Sequence, residues 1–265
     1  MNRKIKQLIG CAILVSALAS CQKEEFKPSQ KEIETNVVGK WKRVRLNNEE
    51  CTTNLRQIAT FNNDGTMYST TTLTSTGKSL WEVKSPFEYT CYDNKIRSIC
   101  YFEDGTMRSE LNFKVEEINQ EKLRVLLYRN FTDGEYRDNN TLIEYKRVTD
   151  DFSEQIIGLW EGDELLGEET FGGVNHRMEF KQDGSYVYYN FESGDWVPSA
   201  NVDNEFVVDG DWLAFKWRPL AGADFEYERW DIDSIKDGSM IWSAIREKED
   251  GMRYTTTFTW KRVIE

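Results

Sequence analysis

The chain repeats itself. Val37-Val38-Gly39-Lys40-Trp41 returns as Ile156-Ile157-Gly158-Leu159-Trp160, at an offset of 119 residues. Phe61-Asn62-Asn63-Asp64-Gly65-Thr66 returns as Phe180-Lys181-Gln182-Asp183-Gly184-Ser185 at the same offset, and Tyr145-Lys146-Arg147-Val148 as Trp260-Lys261-Arg262-Val263 at 115. Landmarks in one order at near-constant spacing mark a tandem duplication, so one architecture must serve both halves. The junction Asp150-Asp151-Phe152-Ser153-Glu154 is too short to let the units move far apart.

Each unit reads as all-β. Short alternating runs are separated by turn chemistry: Asp64-Gly65, Asp104-Gly105 and Asp133-Gly134 in the first, Asp183-Gly184, Asp237-Gly238 and Asp250-Gly251 in the second. Asp-Gly suits tight hairpins because glycine tolerates the positive φ they require. The spacing predicts an up-and-down antiparallel meander of about eight strands per unit, a number that closes into a small barrel without exposed edges. Lys31–Val38 and Phe152–Ile157 are expected to give a turn or two of helix before each first strand.

The amino terminus carries an address. Arg3, Lys4 and Lys6 precede an apolar run from Leu8 to Leu18 that is too short to span a bilayer, which takes about 20 residues. Leu18-Ala19-Ser20-Cys21 resembles the lipobox of bacterial lipoproteins. The resemblance implies a signal peptide over 1–20 and lipidation of Cys21, which would hold the chain to a membrane. Gln22-Lys23-Glu24-Glu25 resembles the acidic signal with which some Gram-negative bacteria send lipoproteins to the outer face of the outer membrane. The expected layout is thus 1–20 signal peptide, 21–34 flexible tether, 35–149 first barrel and 150–265 second barrel.

Net charge is −12, or about −15 once the three basic residues of the leader are set aside, which speaks against nucleic-acid binding. Beyond Cys11 and Cys21 the cysteines are Cys51, Cys91 and Cys100. Export to an oxidising compartment makes a disulfide plausible, either Cys91 with Cys100 across a hairpin or Cys51 with one of them. No CxxC occurs and His176 is the single histidine, so no zinc site is expected. The acidic pieces Asp203-Asn204-Glu205, Asp209-Gly210-Asp211 and Asp231-Ile232-Asp233 lack the EF-hand spacing, and neither a metal nor a cofactor is expected.

Gly39-Lys40-Trp41 and Gly158-Leu159-Trp160, with Arg147 and Arg262 on the last strands, resemble the lipocalin-like domains of bacterial lipoproteins. The resemblance implies that Trp41 with Arg147, and Trp160 with Arg262, close one end of each barrel by cation–π contact. Strand alternation agrees: Tyr254, Thr256, Phe258, Trp260 and Arg262 share a face, as do Ile143, Tyr145 and Arg147.

The second unit holds seven tryptophans, the first only Trp41 and Trp81. Trp196, Trp212, Trp217 and Trp242 are candidate ligand-cup or surface aromatics, with Leu213, Phe215 and Trp217 facing inward and Trp212 the other way. Catalysis is not expected: there is no Gly-x-Ser-x-Gly or Walker loop, and His176 lies in a polar segment expected to be solvated. The favoured expectation is a binder of a small apolar or glycan-type ligand, its mouth in the second unit. The alternative is a surface protein–protein or adhesion module with solid barrels.

Overall fold

The computed structural model describes residues 27–71, 86–167 and 175–264. The leader, Cys21, the Gln22–Glu25 signal and Trp81 lie outside the described residues.

The first structured element is helix α1 (Gln30–Val37). Ser29 caps it, accepting from the Glu32 N–H while the Glu32 carboxylate accepts from the Ser29 N–H, a capping box. Ile33 and Val37, one helical turn apart, are both fully buried against the first core. The expected tether over 21–34 therefore overruns: helix begins at Gln30, because these two apolar residues dock it.

Strands β1 (Gly39–Leu46), β2 (Glu49–Glu50), β3 (Gln57–Phe61), β4 (Thr66–Thr71), β5 (Phe87–Tyr92), β6 (Lys95–Tyr101), β7 (Met107–Ile118), β8 (Lys122–Thr132) and β9 (Glu135–Val148) form one antiparallel sheet. They run in meander order, and β1 pairs with β9, so β1 and β3–β9 close an eight-stranded barrel. The second sheet comprises β10 (Gly158–Leu166), β11 (His176–Phe180), β12 (Tyr186–Glu192), β13 (Asp195–Pro198), β14 (Val202–Asp209), β15 (Trp212–Arg218), β16 (Glu226–Lys236), β17 (Ser239–Glu247) and β18 (Arg253–Arg262). It curls in the same order, with β10 on β18, but among the described residues its ends meet at the bridge Ser185↔Glu205 and the bond from Phe206 N–H to Gly184 O. The extra strand β13 occupies the edge of β12 that would otherwise continue the seam. Before β10, the bond from Ile156 N–H to Phe152 O makes a single helical turn.

The same register locks both halves. The Trp41 indole N–H donates to Val37 O at 2.6 Å, and that of Trp160 to Ile156 O at 2.7 Å. Arg147 lies 4.0 Å over Trp41 and donates to Gln120 O, Val38 O and Asn36 O. Arg262 lies 4.2 Å over Trp160 and donates to Ile157 O and Gln155 O. The glycine two residues before each tryptophan now has a reason. Gly39 and Gly158 sit at φ +127° and +126°, and a Cβ on either would come 2.5 or 2.6 Å from the arginine Nη1. Only glycine both adopts that backbone and lets the guanidinium cross it.

The barrels dock through a polar-rimmed apolar contact. Trp212, fully buried, packs with Ile58 and Ala214, flanked by Val148 and Val207. Beside it Lys42 reaches Asp211 at 2.7 Å and Asp231 at 3.0 Å, and Arg56 reaches Asp231 at 3.2 Å. Lys40 pairs with Asp209 at 2.9 Å, and the Ile245 N–H donates to the Thr53 hydroxyl. Trp212 is thus neither a cup residue nor a surface platform. Its side chain points out of the second barrel, as alternation requires, but into the first barrel's wall. The acidic pieces at 209–211 and 231–233 likewise face the cations of the first barrel.

Candidate functional site

A duplicated fold offers two interiors, and side-chain size decides which is hollow. The ladders align position by position. Tyr186 stands where the first barrel has Met67, Tyr188 where it has Ser69, and Phe215 where it has Ser98. Trp217 stands at the place of Cys100, Trp242 at that of Val125 and Trp260 at that of Tyr145. In the second barrel these rings fill the middle, with Trp242 and Trp260 centroids 4.8 Å apart and Phe215 and Trp242 5.7 Å apart. A space of about 220 Å³ remains, edged by Tyr188, Trp217 and His176. The smaller residues of the first barrel leave a cavity of about 1090 Å³. That reaches the upper end of ligand pockets, which run about 300–1,000 Å³.

The expected mouth in the second unit is therefore corrected: aromatic richness fills a barrel, and the aromatic-poor half is the hollow one. Trp242 is a core residue with 2% exposure. Trp217 is half-buried at the edge of the small space. Trp196, on the β12–β13 hairpin, is half-buried under Arg177 at 4.3 Å and beside Phe191 at 5.1 Å. His176 is not a solvated loop residue: it opens β11, and its Nδ1 lies 2.6 Å from the Tyr188 hydroxyl.

Among the described residues, the cavity opens at the end opposite α1 and the Trp41–Arg147 lock. Phe102, Arg108, Phe131 and Asp133 stand at its mouth, on or beside the β6–β7 and β8–β9 turns. Its walls are apolar: Phe61, Met67, Ile96, Leu111, Phe113, Val125, Leu127 and Ile143. Its polar lining includes Gln57 and Ser69 in the wall and Arg108 and Asp133 at the mouth, and its buried cation is Arg43. Arg43 on β1 is 5% exposed, and it donates to Leu55 O at 3.0 and 2.5 Å and to Gln57 Oε1 at 3.1 Å. Its cross-strand neighbour Tyr145 also lines the cavity. Burial pushes the Tyr145 phenol's pKa up, although Arg43 pulls against it.

The three cysteines of the barrel are free thiols. The proposed Cys91–Cys100 bridge fails on register: the β5–β6 hairpin pairs Cys91 with Ile96, leaving Cys100 four residues further along β6. At about 3.4 Å per residue that is some 13 Å, well past the roughly 7 Å limit for disulfide Cα atoms. Cys51 lies beyond β2 and is buried against Arg43 and Arg56, while Cys100 lines the cavity.

No family model matches the sequence, and no curated protein matches it. Solved structures share the outline at low similarity. A mutant of the vaccine antigen transferrin binding protein B from Haemophilus parasuis is 7% identical, with a TM-score of 0.26, over 68% of this chain and 39% of that one. A DUF3598-family protein of unknown function from Nostoc punctiforme is 11% identical, with a TM-score of 0.25, over 89% and 100%. Transferrin binding protein B from Neisseria meningitidis is 7% identical, with a TM-score of 0.25, over 82% and 67%. The barrel architecture of this chain rests on its own strand register, not on these likenesses.

Proposed function

We propose that this chain is a lipid-anchored binding protein of the bacterial cell envelope, whose first barrel holds a small, largely apolar ligand and whose second barrel is a solid support. The observation that carries the reading is the cavity of about 1090 Å³, apolar-walled and open at one end. Burying apolar ligand surface there is worth about 25 cal/mol per Å² before the costs of association. Attachment through Cys21 and display on the outer face of the outer membrane follow from Leu18–Cys21 and Gln22–Glu25. The chain acts by binding, without catalysis. The adhesion alternative keeps one support, the filled interior of the second barrel, where Phe191 and Val197 are exposed on the β12–β13 hairpin.

The test uses the full-length chain carrying Cys21→Ala, so that no acyl group of its own competes. N-phenyl-1-naphthylamine, a neutral apolar dye, should brighten on titration. Ser69→Tyr with Val125→Trp, the residues the second barrel carries at those positions, should abolish the signal. Absence of dye binding by the unblocked chain, or equal binding by the blocked one, would refute the reading. Incorporation of radiolabelled palmitate, lost on Cys21→Ala, tests the anchor.

A further inference from the structure

Arg43 has no counterpart in the second barrel. Counting from the paired tryptophans, its position there is Gly162, which leaves room for Trp260 as Arg43 sits beside Tyr145. The first barrel has thus exchanged a glycine and an indole for a guanidinium and a phenol, at the wall of its cavity. The guanidinium is nearly fully buried, and three of its N–H groups bond to uncharged acceptors. No Asp or Glu among the described residues forms an ion pair with it. Cys51 supplies no counter-charge, because burial raises its pKa despite the pull of Arg43 and Arg56. A buried cation without a carboxylate is costly, and the other two buried cations among the described residues, Arg56 and Lys42, both reach Asp231. Tyr145 has no hydrogen-bond partner for its hydroxyl among the described residues.

We infer that the ligand of the first barrel is an amphipathic carboxylate, with its apolar chain along the cavity and its acid group against Arg43 and Tyr145. The planar guanidinium fork suits a carboxylate's two oxygens, and a neutral phenol donates to the same group. This rests on the binding reading above and adds to it the sign and chemistry of the headgroup. The cavity walls set the apolar part, and Arg43 sets the preference for an anion over an alcohol or an ester of equal length.

The test is displacement of N-phenyl-1-naphthylamine from the full-length Cys21→Ala chain by laurate, methyl laurate and 1-dodecanol at pH 7.5. Laurate should bind at least tenfold more tightly than either neutral analogue, a comparison that needs no further variant. Arg43→Met should bring laurate within about twofold of dodecanol. Carboxyl-labelled laurate should also show its carboxyl carbon titrating at lower pH when bound than when free. Equal affinity of the three ligands in the unaltered chain would overturn the headgroup assignment and leave the apolar cavity standing. A chain that binds neither dye nor ligand would overturn both.

Discussion

Asp231 is the point at which the two barrels are most exposed to a single change. Its carboxylate accepts from Lys42 Nζ at 3.0 Å and from Arg56 at 3.2 and 3.3 Å, and its side chain is 11% exposed. In Asp231→Ala, Lys42 keeps Asp211 at 2.7 Å, whereas Arg56 loses its contacts at 3.2 and 3.3 Å to the Asp231 carboxylate. Removing one partner of a buried pair costs about 3–5 kcal/mol, chiefly by stranding the other charge. Lys42 keeps a second carboxylate in Asp211, so the lower end of that range, about 3 kcal/mol, is expected. Urea unfolding followed by tryptophan fluorescence and by far-ultraviolet circular dichroism measures it. The wild-type transitions should coincide, because the interface couples the halves, and those of the variant should separate. Lys42→Met together with Asp231→Leu should cost less than the sum of the two single changes, since the double change strands fewer charges. A loss below about 1 kcal/mol, or strict additivity, would refute the argument that this cluster holds the barrels together.

Gly39→Ala should destabilise by at least about 2 kcal/mol, combining backbone strain with displacement of Arg147, and Gly158→Ala should do the same through Arg262. Gly134→Ala, at φ +82° with nothing near its Cβ, should cost clearly less in the same thermal melts; equal costs would remove the arginine from the explanation. Arg97, with Asn112 and Tyr136, holds the Glu110 carboxyl at about 2, below its ordinary 4.5. A lowered folded pKa stabilises fully above the unfolded value, and that stability is lost as pH falls from about 4.5 toward 2. Glu110→Gln should therefore flatten the acid limb of the stability curve in that window, and an unchanged slope would exclude the pairing. Iodoacetamide labelling of the denatured, unreduced chain should modify Cys51, Cys91 and Cys100 alike, and a disulfide-linked peptide in the mass spectrum would contradict the register argument. On the native chain, Cys91, pushed up to about 11 by burial, should label slowly at pH 8.

The landmarks that made the duplication visible are the residues that build the barrel ends. Glycine, tryptophan and arginine meet there through backbone geometry that tolerates few substitutes, so the sequence displays them twice. The hollow interior was legible in principle and easily misread. Tryptophan counts differ between the halves, but a ring that lines a cup and a ring that fills it look alike in a one-dimensional pattern. Aligning the halves at offset 119 places Gly162 against Arg43, so this difference in the wall is legible in the sequence. Trp212 was assigned the correct face, outward from its own sheet. That this outward face lies against Ile58 depends on how the barrels dock, which alternation within one strand does not encode. The acidic turns misled for a related reason: Asp211 and Asp231 answer to Lys42 and Arg56, far away in sequence.

The docking contact also has a sign on each side. By ladder position, the second barrel carries Glu161 where the first offers Lys42, and the first carries Lys95 and Lys114 where the second offers Trp212 and Asp231. Two first barrels brought together through these surfaces would set lysine against lysine, whereas in the second barrel Arg177 already neutralises Glu161 at 2.6 Å. The first barrel therefore discriminates against copies of itself and accepts the second. With only nine residues, 149–157, between β9 and β10, the partner already on the chain is present at far higher effective concentration than any neighbour's. The duplicated chain thus carries its own docking partner, and lysine facing lysine keeps the first barrels of crowded copies from pairing with each other.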